Sequence, residues 1–307
     1  MSAANKVATT LLVLLCWAVA IASHAQDAVG VEALTGTLKK VRTTGAITIG
    51  FRDASIPFSY LGPGRRPIGY SIDLCLAIVE QIKTELGIDA LAVKYLPVNP
   101  QTRIPAVVEG AIDLECGSTT NNTERQKQVA FSPIFFVSGT KVMVKRGSKF
   151  RSYRDLKGHS VAVTEGTTNE AALNAVNAKE RLGITVVPFR DHDQSFAALT
   201  AGKVDAWASD DALLYAQAAE SANPRGYSVL DDYLSYDPYG VMFRKNDPAF
   251  AALVRRTFEQ LAESRELSRL YDQWFRHKLP SGRTLGLAMS PQLESIFESL
   301  GQPTATE

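Results

Sequence analysis

From position 45 onward, short runs of β-branched and apolar residues alternate with longer stretches whose apolar positions recur every three or four residues. Residues 46–51 predict a strand, 71–86 a helix, 91–96 a strand, 103–109 a helix and 111–116 a strand. In the first of these helices Ile72, Cys75, Leu76, Val79 and Ile82 fall on one face, the spacing of a core-facing stripe. The unit then repeats, with strands over 160–164, 184–189 and 204–208 and helices over 169–181 and 195–201. Residues 137–145 alternate in character around Gly139, which predicts an extended crossing from one unit to the other. A second extended piece, 239–244, precedes a helical pattern from 248 to about 277, so the C-terminal part returns to the first unit. The expected fold class is α/β with two lobes, each a mixed sheet flanked by helices. Lobe 1 is expected to comprise residues 26–135 with 238–307, and lobe 2 residues 136–237. Ligands of open α/β sheets bind outside the carboxyl ends of the strands, so the cleft between lobes is the place to look for a site.

Residues 1–25 depart from this alternation. Lys6 is their only strong charge, an apolar run covers 8–22, and the small residues Ser23 and Ala25 flank His24. That arrangement predicts a secretory signal peptide cleaved after Ala25. Its apolar core falls short of the roughly 20 residues a spanning helix needs, and no later stretch reaches that length. Cys16 lacks the small preceding residue of a lipoprotein signal, because Leu15 stands there.

Without Lys6 the basic count drops from 33 to 32 and equals the 32 acidic residues. The exported chain then has no formal net charge, which disfavours nucleic acid as a partner. Any charged ligand must be recognised locally. Cys75 and Cys116 remain after cleavage. An oxidising compartment permits them to pair, and the sequence leaves a disulfide and two buried thiols both open.

Candidate chemistry gathers at strand ends. After the strand ending at Cys116 come Gly117, Ser118, Thr119 and Thr120, and then Thr123 with Gln126 three residues later, a capping-box pattern that predicts a helix start. A helix start attracts anions, and Ser118, Thr120 and Arg125 add donors suited to a carboxylate. The same residues also fit an ordinary capped helix with a solvent-facing Arg125. The second unit repeats the arrangement, with Gly166, Thr167 and Thr168 leading into a Thr167–Glu170 capping box. Asp210, after the strand 204–208, could receive an ammonium group, although Ser209 or Asp210 could equally cap the helix that follows. Arg52 follows the first strand. Phe58 and Tyr60 stand in the next loop as candidate walls around a ligand or as exposed loop residues. His192, taken alone, reads as a solvated loop histidine. No His/Cys/Asp/Glu cluster has metal-ligand spacing, and neither a nucleophile elbow nor a phosphate-binding glycine loop occurs. Neither cofactor, metal nor catalytic residue is expected.

Arg52 with Pro57-Phe58-Ser59-Tyr60, Gly69-Tyr70-Ser71-Ile72-Asp73, the run from Gly117 to Arg125, Leu156-Lys157-Gly158, Gly166-Thr167-Thr168 and Ser209-Asp210-Asp211 together resemble the polar amino-acid-binding proteins of ABC importers. The likeness covers nearly all of the chain after the leader. Glu115-Cys116-Gly117-Ser118-Thr119-Thr120 and Asp191-His192 resemble most the glutamate/aspartate-binding branch. This resemblance implies a type II periplasmic-binding-protein fold, a periplasmic location, a monomeric state and permease subunits in the inner membrane as partners. It further implies that Arg125, Ser118, Thr120 and Thr168 hold an α-carboxylate, with Thr167 at the same helix start, and that Asp210 holds the α-ammonium. Arg52, Arg103 and His192 would face a side-chain carboxylate. Three arginines against one aspartate suit a ligand with two carboxylates and one ammonium, because unpaired buried guanidinium groups are costly. Pro100, shortly before Arg103, departs from the hydroxyl residue of that branch and leaves glutamate, aspartate and related diacids open. The alternative is a periplasmic enzyme on the same scaffold, of cyclohexadienyl dehydratase type.

Overall fold

The computed structural model describes residues 34–302, so the predicted leader at 1–25 lies outside the described residues. A helix (Gly36–Thr44) leads into β1 (Ala46–Phe51), and three short strands, β2 (Ala54–Ser55), β3 (Ser59–Leu61) and β4 (Pro67–Ile68), form a small sheet of their own. The helix Tyr70–Leu86, β5 (Ala92–Pro97), the helix Arg103–Val108, β6 (Leu114–Cys116), the single turn Thr123–Gln126 and β7 (Val129–Phe131) follow. The chain continues through β8 (Phe136–Ser138), β9 (Thr140–Lys145), β10 (Ser160–Thr164), the helix Thr168–Glu180, β11 (Thr185–Phe189), the helix His192–Thr200 and β12 (Ala206–Asp210). The helix Asp211–Glu220, β13 (Tyr227–Val229), β14 (Asp237–Tyr239) and β15 (Met242–Arg244) complete the strands, and the helices Pro248–Glu263, Glu266–Tyr271 and Pro291–Leu300 end the chain.

Two five-stranded sheets result, ordered β5-β1-β6-β15-β7 and β11-β10-β12-β9-β13. In the first, β1 lies parallel to β5 and β6, and β15 returns antiparallel beside β6. In the second, β10 lies parallel to β11 and β12 while β9 runs antiparallel to β12. Between the sheets β8 and β14 pair antiparallel, so both crossings of the chain run side by side. This is the two-lobed arrangement expected from the duplicated strand and helix pattern, and it agrees with the type II fold that the resemblance implies.

The local rules explain most boundaries. The helix Tyr70–Leu86 buries Ile72, Leu74, Cys75, Ile78, Val79 and Ile82 and ends at Gly87, in the left-handed conformation with φ 60. At its start Gly69 has φ 137, and a Cβ there would lie 2.3 Å from the Phe58 carbonyl oxygen, so only glycine fits. The strand expected over 111–116 forms only from Leu114, because the Ile112 N–H bonds back to the Ala106 carbonyl of the preceding helix instead of joining the sheet. The strand expected over 204–208 is shifted to Ala206–Asp210. The N–H groups of Gly202 and Lys203 close the previous helix, whereas Ser209 and Asp210 pair with Lys141 and Thr140 of β9. The helical region expected from 248 to about 277 breaks at Arg265, which adopts φ 62. The helix Pro291–Leu300 is additional to the expectation, although its buried Leu293 and Phe297 sit at helical spacing.

Phe136 of β8 and Tyr239 of β14 are both buried, and they pack into one aromatic cluster with Phe58, Tyr70, Tyr271 and Phe275. Phe136 stacks on Phe275 with centroids 4.8 Å apart, and Phe58 meets Phe136 edge-on at the same distance. Such pairs add about 0.5–1.5 kcal/mol each beyond area burial. The crossing strands are therefore fixed to the first sheet's core at this end, and Gly139, just beyond it, packs against the Ser235 carbonyl.

Cys75 of the long helix and Cys116 at the end of β6 form a disulfide, which decides between the two states the sequence left open. It spans a sequence separation of 41 and ties the helix to the strand end that precedes Ser118. On loop-closure grounds the bridge should contribute about 4 kcal/mol. Urea unfolding of Cys75→Ser/Cys116→Ser is expected to show that loss, with a steeper slope because the unlinked unfolded chain exposes more surface; a loss below about 1 kcal/mol would contradict a load on this bridge.

Candidate functional site

Each sheet presents its carboxyl strand ends to the other. From the first, β1 delivers Arg52, whose N–H donates to Ser59 Oγ at 2.9 Å and whose side chain is 1 % exposed. The end of β6 delivers Ser118, Thr119 and Thr120, all buried. Arg103 opens the short helix Arg103–Val108. Its Nη1 donates to Thr119 Oγ1 at 2.6 Å, and that hydroxyl donates to Glu115 Oε2 at 2.6 Å. Nε of both Arg52 and Arg103 is buried with no hydrogen-bond partner among the described residues.

From the second sheet, β10 ends at Thr164 and leads to the helix Thr168–Glu180. Thr167 caps it, accepting from the Glu170 N–H at 3.3 Å, while the Glu170 carboxylate accepts from the Gly166 N–H at 2.8 Å. Only half of the predicted capping box forms: the Thr167 cap is present, while the Glu170 carboxylate reaches back to Gly166, one residue before the cap. Asp210 ends β12. It stands at the position before a helix but makes no cap bond; its Oδ1 accepts from Asn169 Nδ2 at 3.0 Å. The capping alternative for Asp210 therefore fails, and Ser209 Oγ has no partner among the described residues.

Several local expectations are corrected. His192 is not a solvated loop residue: it is the first residue of the helix His192–Thr200, capped by Asp191, and it is 3 % exposed with Nδ1 at 2.9 Å from Thr164 Oγ1. The helix expected from 195 begins there because Asp191 accepts from the Gln194 N–H. Near Arg125 the cap is Asn122, which accepts from the Arg125 N–H at 2.9 Å, and Thr123 is the first helical residue. That helix is a single turn, so its dipole is small and Arg125 itself must supply the positive charge. Arg125 is buried, not solvent-facing, and its Nη1 donates to the Thr120 carbonyl at 2.8 Å. Phe58 is buried in the aromatic cluster and Tyr60 packs edge-on to Trp274, so neither forms the expected wall.

Eight of the nine sequence-predicted residues line one void together with Asn169: Arg52, Arg103, Ser118, Thr120, Thr167, Thr168, His192 and Asp210. The ninth, Arg125, lies behind Thr120. The free space among them is about 10 Å³, room for about one water, so admitting an amino-acid-sized solute requires the walls to part. Two hydrogen bonds bridge the lobes at its edge, Thr120 Oγ1 to Thr168 Oγ1 at 3.1 Å and Gln101 Nε2 to Glu165 Oε2 at 3.1 Å. A larger, mostly apolar groove beside the helix Pro291–Leu300 lies away from these strand ends and gathers no comparable set of buried charges.

Burial sets the electrostatics. It lowers Arg52 to about 10, helped by the neighbouring Arg103, and lowers Arg125 to about 9 for the same two reasons. Both stay protonated at neutral pH. Burial, then Arg52 and Arg103, hold His192 well below its ordinary value, so the imidazole is neutral. Burial, then Asp237, raise Asp210 to about 7. Glu115 and Asp237 are themselves buried, and Asp237 Oδ1 accepts from Thr120 Oγ1 at 3.1 Å. The balance of three arginines against one aspartate therefore omits two acids. Sequence reading also missed the site roles of Thr119 and Asn169. No pattern marks Asn169, whereas Thr119 lies between two residues that were singled out. Among the described residues no group of His, Cys, Asp and Glu could hold a metal ion.

Residues 47–277 match the family model of bacterial extracellular solute-binding proteins, family 3. Over 271 residues the chain is 46 % identical to the L-glutamate/L-aspartate-binding protein of Pseudomonas aeruginosa, covering 87 % of this chain and 89 % of that one. It is 38 % identical over 296 residues to a glutamate/aspartate import solute-binding protein of Escherichia coli, with 96 % of each covered. Among solved structures, a mutant of ArgBP from T. maritima superposes with a TM-score of 0.70 at 27 % identity, over 78 % of this chain and 99 % of that one.

A carboxyl raised to about 7 in the fold keeps its proton longer than in the unfolded chain, so its contribution is present below pH 4 and is lost as pH rises towards 7. His192, lowered in the fold, acts oppositely, and stability is lost as pH falls below 6.5. Replacing Asp210 by Asn removes only the first slope. Urea unfolding at pH 5 and pH 8 is expected to show Asp210→Asn gaining about 3 kcal/mol relative to the parent chain over that interval. An equal difference at both pH values would contradict the raised carboxyl.

Proposed function

The chain belongs to family 3 of the bacterial extracellular solute-binding proteins, and from that premise we propose that it captures glutamate or aspartate between its lobes and delivers it to the permease of an ABC amino-acid importer. It is a binding protein and not an enzyme. The observation that carries the ligand class is the buried guanidinium groups of Arg52 and Arg103 at one small void, each with an unpartnered Nε, and of Arg125 behind it. A buried cation without a partner is strongly unfavourable, and a ligand carboxylate supplies what the protein withholds.

In this reading Arg125, Ser118, Thr120, Thr167 and Thr168 hold the α-carboxylate and Asp210 the α-ammonium. Arg52, Arg103 and neutral His192 face the side-chain carboxylate. Asp210, with its raised affinity for a proton, is well suited to trade that proton for an ammonium. The lobes, residues 26–135 with 238–307 and residues 136–237, close about the paired strands β8 and β14, and closure selects the occupied state. The protein works as a monomer in the periplasm, after removal of residues 1–25.

Isothermal titration with glutamate, aspartate, glutamine and asparagine tests the reading: heat is expected with the two acids, and none with any of the four would overturn it. Arg125→Ala is expected to abolish binding of every ligand, since it removes the charge opposite the α-carboxylate common to all. Arg103→Ala should instead lower mainly the preference for glutamate over glutamine, by tenfold or more. Equal losses across ligands for both variants would refute the assignment.

A further inference from the structure

Glu115 lies on β6, hydrogen-bonded between β1 and β15 at the centre of the first sheet, and is fully buried. A carboxylate there is unusual, because the strand centre offers neither water nor a direct cationic contact. No ion pair within 4.0 Å reaches it among the described residues, and its Oε1 has no hydrogen-bond partner. Its one partner is Thr119, which passes the contact on to Arg103. Its other neighbour is Arg52, as Gly117 reveals: a Cβ on Gly117 would lie 2.5 Å from Glu115 Oε1 and 2.9 Å from Arg52 Cγ. Glycine at 117 keeps open the space shared by this carboxylate and the Arg52 stem.

We infer that Glu115 is a specificity-determining positioning residue, a resident anion behind Arg52 and Arg103 that offsets part of their charge and so limits how strongly the cleft prefers a second ligand carboxylate. The inference rests on the acidic-ligand reading above. Without a ligand, Glu115 is the fixed counter-charge that makes two adjacent buried guanidinium groups tolerable. With a diacid bound, the same charge repels the distal carboxylate through a medium that screens poorly. Thr119 separates the two roles: it orients Arg103 by a hydrogen bond and holds the carboxylate one hydroxyl away from a direct ion pair.

The amide in Glu115→Gln keeps an oxygen for Thr119 and removes only the charge. Calorimetric titration of this variant with glutamate and with glutamine is expected to show the affinity ratio, acid over amide, rising by about tenfold, while the ligand-free protein melts at a lower temperature. Thr119→Val, which leaves the carboxylate but frees Arg103, should move the ratio the other way, again by about tenfold. A general packing defect would weaken both ligands together and cannot give opposite signs. A ratio within twofold of the parent in Glu115→Gln overturns the inference. Should that variant not fold, an unchanged ratio in Thr119→Val overturns it equally. If the parent chain binds neither acid, the acidic-ligand reading has failed and the inference falls with it; if the parent binds and the ratios stay put, the inference alone has failed.

Discussion

Arg52, Arg103 and Arg125 are brought together by three different parts of the chain and buried, the first two lining the cleft and the third behind Thr120. Like charges in a place that excludes water repel strongly, and each guanidinium also loses hydration that its few protein partners do not replace. Everything around them can be understood as the means of tolerating that arrangement. The Thr119 hydroxyl and the Thr120 carbonyl each take one donor, and Glu115 and Asp237 supply negative charge at one remove. Burial and the two nearest arginines keep His192 neutral so that it adds no further charge. The cleft is held ready for an anion, and the fold carries the strain of that readiness.

The scaffold is correspondingly unequal in stiffness. On the first sheet's side the disulfide between Cys75 and Cys116 fixes the strand end that carries Ser118 and Thr120. The aromatic cluster around Phe58 and Phe275 clamps both crossing strands on that same side. On the far side, Thr167, Asn169, His192 and Asp210 ride on a second sheet joined to the first through β8 and β14 and through hydrogen bonds at the cleft edge. The first sheet's side, which holds the arginines, is thus the more heavily braced of the two, and the second carries the acid and the imidazole.

The alternation of strand and helix, its duplication and the two crossings were legible in the sequence because each depends on periodicity that one lobe's core imposes locally. The strand ends were legible as well, since a residue that closes a strand and opens a helix announces itself by capping residues such as Thr167. What the sequence hid depends on partners far along the chain. His192 looks solvated until Thr164 and Trp207 are brought against it. Glu115 and Asp237 look like ordinary strand and loop acids until the fold brings Arg52, Arg103 and Arg125 near the first and Arg125 near the second. Asp210 looks like a cap until Asn169, from another helix, takes its oxygen. The state of Cys75 and Cys116 likewise turns on a distance that no local pattern encodes.

Trp207 lies in β12 three residues before Asp210, fully buried, with its ring 6.3 Å from that of His192 and its indole N–H without a partner among the described residues. An indole held rigidly in a dry setting emits according to the electric field across its ring. A charged ligand bound beside His192 would change that field from a few ångströms away. The ultraviolet emission of this indole would then report occupancy of the cleft with no dye attached.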